Sequence, residues 1–168
     1  MIDLTLTEVA EALGASFSGP SLRGSRISTD TRSSAPESLY FALKGERFDG
    51  HDFAEQAVLN GAVAVVVSRP LDLAVPQLRV PDVRLALGQL GRYLRRRLAP
   101  QVVALTGSAG KTTVKEMIAA VLAEVGTTLA TQGNYNNEVG VPLTLLRLTP
   151  EHRYAVVEMG ARFPGDIA

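Results

Sequence analysis

The sequence contains no cysteine and only two histidines among its 168 residues. The absence of cysteine excludes disulfides and thiolate metal sites, and two separated histidines do not indicate a zinc site. Seventeen basic and seventeen acidic residues cancel, so no excess charge points to a nucleic acid or an anionic membrane as partner. The longest apolar run, residues 62–67, is far too short to cross a bilayer, and the N-terminus lacks a signal-like region. We therefore expect a cytoplasmic protein.

Strand-like and helix-like segments alternate along the chain, which favours an α/β fold in two lobes. Strands are predicted at residues 27–32, 39–43, 62–67, 102–105, 127–130 and 154–157. Helices are predicted at residues 8–13, 52–59, 83–99, 111–125 and 142–148. We expect one apolar face of the fourth helix to pack on a sheet; this face comprises Val114, Met117, Ile118, Val121, Leu122 and Val125. The boundary between the lobes is predicted near residues 82–100.

The segment TGSAGKTT, residues 106–113, lies between a predicted strand and a predicted helix. A glycine-rich turn in this position exposes backbone N–H groups beside the positive end of the helix dipole, and such a turn can hold phosphate oxygens. Lys111 adds a positive charge for the β- and γ-phosphates, and the hydroxyl of Thr112 is placed to hold Mg²⁺. The usual P-loop has four residues between its glycines, whereas Gly107 and Gly110 are separated by two. The alternative interpretation is a glycine-rich turn with a solvated lysine.

The short loop resembles the ATP loop of the Mur ligases and of the related folylpolyglutamate synthetases. The segments KEM, residues 115–117, and GNYNNEVGVPLTLLRLTPEHRYAVVEMGA, residues 133–161, are similar to the Mur ligase family as well. In the first lobe, STDTR at residues 28–32, LYFALKGERFDGHDF at residues 39–53 and GAVAVVV at residues 61–67 resemble its UDP-binding domain. The resemblance covers nearly the whole chain.

The resemblance implies an ATP- and Mg²⁺-dependent ligase that adds D-alanyl-D-alanine to UDP-N-acetylmuramoyl-tripeptide through an acyl phosphate. It implies a UDP-sugar-binding domain at residues 1–82, a connecting helix or linker at 83–100, and the start of a central ATP-binding domain at 101–168. Lys111 and Glu158 would be catalytic, and Thr112 and Glu158 would hold Mg²⁺. The phosphate cradle would comprise Gly107, Ser108, Ala109, Gly110, Lys111, Thr112 and Thr113. We expect a monomer that does not bind nucleic acid.

The resemblance also suggests residues that bind the nucleotide sugar. They are Ser28, Thr31, Arg32, Lys44, Arg47, Asp49 and His51 in the first lobe, with Asn134 and Asn137 in the second. Hydroxyls and the planar guanidinium of Arg32 suit a diphosphate, and side-chain amides can bind oxygens without adding charge. Asparagines also favour turns, and the polar loop at residues 47–51 could be an ordinary flexible loop. Which asparagine contacts substrate stays open at this point.

Three function classes are compatible with these features: a Mur-type ligase, a UDP-sugar-binding module without catalysis, and a different P-loop protein. Within the first class, a ligase that adds a different residue to the peptide is an alternative. Members of the family are about three domains long, so we expect this chain by itself not to complete the ligation. A turnover assay on the 168-residue chain should give no amide product, and clear product formation would contradict that expectation.

Overall fold

The computed structural model describes residues 3–33 and 35–161 of a chain that divides into two compact units, residues 1–90 and 91–168. The division falls inside one long helix. Each unit contains its own parallel sheet, in agreement with the predicted α/β class. No helix in the described ranges combines the length and the apolar character needed to span a membrane.

The first unit is built around a four-stranded parallel sheet. Its elements are β1 (Leu4–Thr5), α1 (Leu6–Leu13), β2 (Arg23–Gly24), β3 (Arg26–Ser28), β4 (Ser38–Phe41), α2 (Ala54–Leu59), β5 (Ala62–Val67), β6 (Gln77–Arg79) and the beginning of α3 (Val83–Leu98). The sheet order is β3-β4-β5-β6, and β1 pairs with β2 in a separate antiparallel ribbon. The two central strands are almost completely buried, as expected for parallel strands covered on both faces.

Two polar segments of the first unit differ from the prediction. The strand predicted at residues 27–32 ends at Ser28, because the carboxylate of Asp30 accepts the backbone N–H of Arg32 and a 3-10 turn, Thr31–Ser33, follows. A second 3-10 turn, Gly50–Phe53, precedes α2, and Asp49 caps it through the backbone N–H of His51. In both polar loops, an aspartate carboxylate therefore accepts a backbone N–H two residues later and fixes the turn.

The second unit contains a three-stranded parallel sheet. Its elements are the end of α3, then β7 (Gln101–Leu105), α4 (Lys111–Ala123), β8 (Thr128–Ala130), α5 (Gly140–Leu145) and β9 (Tyr154–Glu158). The order is β7-β9-β8, so β9 is the central strand, with Leu105 opposite Glu158 and Ala130 opposite Val156. The carboxyl ends of all three strands meet at one edge, where ligands of open α/β sheets bind.

Helix α4 does not pack as its apolar pattern predicts. Val114, Met117, Val121 and Val125 are 47, 64, 69 and 59% exposed, whereas Lys115 is completely buried. Ile118 and Leu122 of the predicted face are partly buried, and together with Lys115 they lie on the side that contacts β8 and β9. The helix is apolar on two sides, so hydrophobic periodicity alone did not show which side contacts the sheet.

Candidate active site

The loop between β7 and α4 forms the turn that the sequence predicts. Residues 106–110 are exposed, and Gly110 adopts a left-handed conformation with φ of 73° directly before the first helical residue. The side chain of Lys111 folds back over the loop, and its Nζ donates to the carbonyl of Gly107 at 2.5 Å. The first N–H groups of a helix have no acceptor within it, so they are available to an anion at this end. Ser108, Ala109 and Thr113 are likewise exposed around this turn.

Glu158 lies at the carboxyl end of the central strand and faces this turn. Its side chain is only 2% exposed. One carboxylate oxygen accepts the hydroxyl of Thr112 at 3.1 Å, and the other accepts the side-chain amide of Asn136 at 2.8 Å. The two residues that the resemblance assigns to Mg²⁺ are thus in direct contact, although 46 positions separate them in sequence.

The chemistry of this pair fits a magnesium ion bound together with phosphates. Mg²⁺ prefers hard oxygen ligands, and in nucleotide sites it takes one or two protein oxygens with phosphate and water oxygens completing the shell. The described residues contain no group of three or more His, Cys, Asp or Glu side chains that could hold a metal ion by themselves. Thr112 and Glu158 supply one hydroxyl and one carboxylate, which is the donor set of a shared protein-phosphate site.

The asparagine loop gives a different answer from the sequence prediction. The side-chain oxygen of Asn137 accepts the backbone N–H groups of Val139 and Gly140 at 3.3 and 2.8 Å, which ties the loop to the residues that begin α5. Asn134 is exposed. The asparagine that reaches the catalytic edge is Asn136, which the prediction left out. Substrate contact by Asn134 and by Asn137 remains a proposal, and the structure shows in addition that Asn137 bonds to the backbone at the start of α5.

The first unit contains a cavity of about 430 Å³ beside the STDTR segment. It is lined by Thr29, Asp30, Thr31, Arg32, Tyr40, Leu43, Phe48, Gly50 and Phe53. Phe48 and Phe53 are 71 and 42% exposed and form an edge-to-face pair with ring centroids 6.4 Å apart. Exposed aromatic rings beside hydroxyl and guanidinium donors form a surface that can bind a base and its phosphates. Sequence reasoning missed this aromatic pair.

Arg32 and Asp30 form a two-pronged ion pair at the mouth of this cavity. The guanidinium Nε and Nη2 donate to the carboxylate at 3.0 and 2.6 Å, and the Arg32 side chain is 89% exposed. Hydrogen bonds from the Arg32 side chain lower the pKa of Asp30 to about 2. The pair is therefore charged at every physiological pH, and it is exposed enough to contribute little to stability.

His51 is buried within the first unit. The backbone N–H of Ser68 donates to Nε2 at 2.9 Å, which leaves Nδ1–H to donate to Asp49 at 2.6 Å. The hydrogen bond from the backbone N–H of His51 lowers the pKa of Asp49, so this carboxylate stays ionised. Both ring nitrogens of His51 are engaged, so His51 and Asp49 hold the loop in this structure, and their contact with substrate stays a proposal.

The remaining predicted substrate residues lie around the same loops. Ser28 is buried, and its hydroxyl donates to the carbonyl of Asp30 at 2.9 Å. Lys44 is exposed, and its carbonyl accepts the guanidinium of Arg84 at 3.0 Å. Arg47 is exposed within the intervening turn. Ser28 thus shapes the STDTR loop, whereas the two cations lie on the surface.

Tyr40 closes the floor of the cavity. Its ring is buried, and its hydroxyl donates to the carbonyl of Gly50 at 3.0 Å, which ties β4 to the capped loop. Burial, together with the negative charges of Asp30 and Asp49, raises the pKa of Tyr40 to about 12. The hydroxyl therefore stays protonated and keeps this bond at physiological pH.

Comparison with known proteins finds a family match in each of the two units. The family described as Mur ligase family, catalytic domain, matches residues 24–95, and the Mur ligase middle domain matches residues 105–166. The UDP-N-acetylmuramoyl-tripeptide--D-alanyl-D-alanine ligase of Escherichia coli K12 is 54% identical over 168 residues, which are 100% of this chain and 37% of that protein.

Solved structures give the same result. The crystal structure of MurF from Acinetobacter baumannii superimposes with a TM-score of 0.95 at 46% identity and covers 99% of this chain and 38% of that one. MurF ligase from Thermotoga maritima in complex with ADP has a TM-score of 0.77 at 35% identity and covers 84% of this chain and 33% of that one. The chain thus spans little more than a third of the length of these relatives. It belongs to the Mur ligase family and corresponds to the N-terminal portion of the MurF ligases.

Proposed function

We propose that this chain is the nucleotide-binding portion of an ATP-dependent ligase that joins D-alanyl-D-alanine to UDP-N-acetylmuramoyl-tripeptide in peptidoglycan synthesis. The observation that carries the proposal is the contact between Thr112 and the buried carboxylate of Glu158, directly behind the phosphate loop. The Escherichia coli relative, a UDP-N-acetylmuramoyl-tripeptide--D-alanyl-D-alanine ligase, supplies the substrates of the proposal. The nucleotide substrates favour a cytoplasmic location, and we keep the proposal of a monomer.

The reaction needs activation because a peptide carboxylate is a poor acyl donor. A carboxylate oxygen attacks the γ-phosphorus of ATP and ADP leaves, which gives an acyl phosphate. The amine of the dipeptide then attacks the acyl carbon, phosphate leaves, and the amine loses a proton as the amide bond forms. Catalysis of phosphoryl transfer depends mainly on positioning and on neutralising the phosphate charge.

The second unit provides both of these effects in the proposed enzyme. Backbone N–H groups of residues 107–110 surround the phosphate oxygens, and Lys111 leaves the carbonyl of Gly107 to pair with the β- and γ-phosphates. Thr112 and Glu158 would hold Mg²⁺, which supplies charge neutralisation to the phosphates when it is bound. Asn136 fixes the rotation of the Glu158 carboxylate through its amide. The solved relative from Thermotoga maritima is in complex with ADP, which supports the proposal that the ligase uses ATP.

The first unit would recognise the nucleotide sugar. In this proposal the aromatic pair Phe48 and Phe53 contacts the uracil ring, and Arg32 donates to the diphosphate. Arg32 already presents its guanidinium at the mouth of the cavity, paired with Asp30. The diphosphate would replace or share that carboxylate as acceptor, so the ion pair holds the guanidinium ready for the ligand.

Calorimetric titration of UDP-N-acetylmuramoyl-tripeptide into the 168-residue chain tests the first unit directly. We expect binding that Arg32→Ala weakens about ten- to hundredfold, because a charge-assisted hydrogen bond is lost and the ionised Asp30 is left facing the diphosphate. The double variant Asp30→Asn with Arg32→Ala should recover part of that loss. Arg26→Ala, an exposed arginine on β3, is the matched control and should bind normally. Absence of binding to a folded wild-type chain, or equal loss in both arginine variants, would contradict the proposal.

A further inference from the structure

A lysine that the proposed mechanism does not use lies completely buried behind the active site. Lys115 is one helical turn beyond Lys111 on α4, and its side chain has no exposed surface. Its Nζ donates to the backbone carbonyl of Thr131 at 2.7 Å and forms an ion pair with Glu116 at 2.8 Å, whose side chain is 67% exposed. The buried ammonium is thus fixed between one backbone carbonyl and one surface carboxylate.

Thr131 connects this lysine to the catalytic carboxylate. Strand β8 ends at Ala130, and the next residue, Thr131, is 1% exposed. Its hydroxyl accepts the backbone N–H of Glu158 at 3.0 Å. On the opposite side of β9 the ladder continues normally, with the N–H of Met159 donating to the carbonyl of Leu105 at 2.8 Å. The Thr131 hydroxyl therefore takes the place of a strand carbonyl at the position where Glu158 leaves the sheet.

We propose that Lys115 is a positioning residue for Glu158. Its ammonium holds the carbonyl of Thr131, and the hydroxyl of Thr131 holds the backbone N–H of Glu158. Lys115 thereby fixes the backbone position from which the Glu158 carboxylate reaches Thr112. The metal role of that carboxylate rests on the proposed function. The hydrogen-bond chain from Lys115 through Thr131 to Glu158 stands on the geometry alone.

Stability is a poor explanation for a lysine at this position. Removing an ammonium from water costs several kcal/mol, and well-packed apolar residues often replace buried charges without loss of stability. Neighbouring positions on the same side of the helix carry Ile118 and Leu122. An apolar side chain at residue 115 would leave the carbonyl of Thr131 without this donor. The Thr131 N–H still donates to the carbonyl of Val156 at 3.0 Å, so the residue stays on the ladder while its carbonyl side can shift. Groups bonded directly to a metal ligand typically change metal affinity 10- to 100-fold when they are removed. Lys115 acts on Glu158 through Thr131, so we expect its removal to have an effect at the lower end of that range.

Amide hydrogen exchange in the metal-free 168-residue chain tests the hydrogen-bond chain without any activity. In Lys115→Met, which keeps the apolar stem and removes the ammonium, we expect the Glu158 amide to exchange at least about tenfold faster, because the residue that carries its acceptor loses the hydrogen bond at its carbonyl. Glu116→Gln is the matched control: it removes the ion pair, keeps the Lys115 donor, and should leave Glu158 exchange unchanged. Unchanged Glu158 exchange in a folded Lys115→Met chain overturns the proposal.

Binding of Mn²⁺ with ATP, followed by electron paramagnetic resonance, tests the consequence for the metal site. We expect the affinity for Mn²⁺ to fall about tenfold in Lys115→Met and to stay at the wild-type value in Glu116→Gln. A wild-type chain that fails to bind Mn²⁺ with ATP contradicts the proposed function, whereas the exchange comparison still decides the role of Lys115. Normal Mn²⁺ affinity in a Lys115→Met chain overturns the positioning role.

Because the chain has no cysteine, a chemical rescue can test the role of the Lys115 amine even if Lys115→Met does not fold. In Lys115→Cys, the introduced thiol is the only one in the chain, and aminoethylation in the unfolded state rebuilds an amine on a side chain of lysine length. After refolding, we expect the aminoethylated form to regain slow exchange at Glu158 and Mn²⁺ affinity, relative to Lys115→Cys alkylated with an uncharged ethyl group. Equal behaviour of the two alkylated forms, folded or unfolded, overturns the proposal.

Discussion

Replacing Glu158 with glutamine should abolish ligation, with a loss on the order of a thousandfold, in a complete ligase that contains this chain. The substitution preserves shape, and the new amide can still bond to both neighbours. Its oxygen accepts the amide of Asn136, and its nitrogen donates to the hydroxyl of Thr112, which can act as acceptor. The negative charge is therefore the main property that the substitution removes. Steady-state rates at increasing Mg²⁺ concentrations measure the effect.

The matched control for this prediction is Glu124→Gln, an equal loss of charge at an exposed position after α4. It should retain wild-type turnover. Unfolding curves of both variants should match the wild type, because the hydrogen bonds of Glu158 are kept. A Glu158→Gln enzyme within tenfold of wild-type turnover would mean that this carboxylate is a structural residue of the strand end. Full recovery at high Mg²⁺ would mean that it contributes affinity alone.

The parallel sheets were predictable from the sequence, whereas the orientation of α4 was not. The continuous apolar run at residues 62–67 is typical of a strand buried on both faces, and the structure confirms it as β5. Helix α4 carries apolar residues on two sides, and periodicity identifies a helix without showing which side faces the sheet. The buried position is occupied by Lys115, a residue that any hydrophobicity pattern assigns to solvent. Its hydrogen bond to Thr131 depends on a contact 16 positions away.

The sequence located the candidate site where a motif places residues on a defined turn, and the roles of those residues stay a prediction. The phosphate loop and the pairing of Thr112 with Glu158 follow from strand-loop-helix order and from the carboxyl edge of a parallel sheet. Among the neighbouring asparagines, sequence could not choose, because all are equally suited to turns and to ligand contact. The structure separates them by backbone direction: Asn137 points at the start of α5, and Asn136 points at Glu158. The exposed pair Phe48 and Phe53 was hidden because aromatic residues in a loop carry no spacing signal.

Gly140→Ala should destabilise the second unit by about 3 kcal/mol and disconnect Asn136 from Glu158, because the site has no room for a methyl group. A Cβ at this position would lie 2.5–2.7 Å from backbone atoms of Tyr135, and backbone atoms cannot rotate away as a side chain can. The φ of Gly140 is not positive, so any residue could adopt its backbone conformation. The clash alone therefore produces the effect. Urea unfolding followed by circular dichroism measures the loss.

The same clash couples stability to chemistry, because Tyr135 leads directly into Asn136. The carbonyl of Asn136 accepts the N–H of Gly160 at 2.6 Å, and its amide holds Glu158, so displacing Tyr135 pulls on both contacts. Gly88→Ala is the matched control: this helical glycine has no atom within 4 Å of an added Cβ, and alanine there should stabilise α3 by about 0.5–1 kcal/mol. Opposite signs for one chemical change identify close approach as the cause. If Gly140→Ala were as stable as wild type, the loop would be able to move away from α5, and the contact between Asn136 and Glu158 would not depend on that packing.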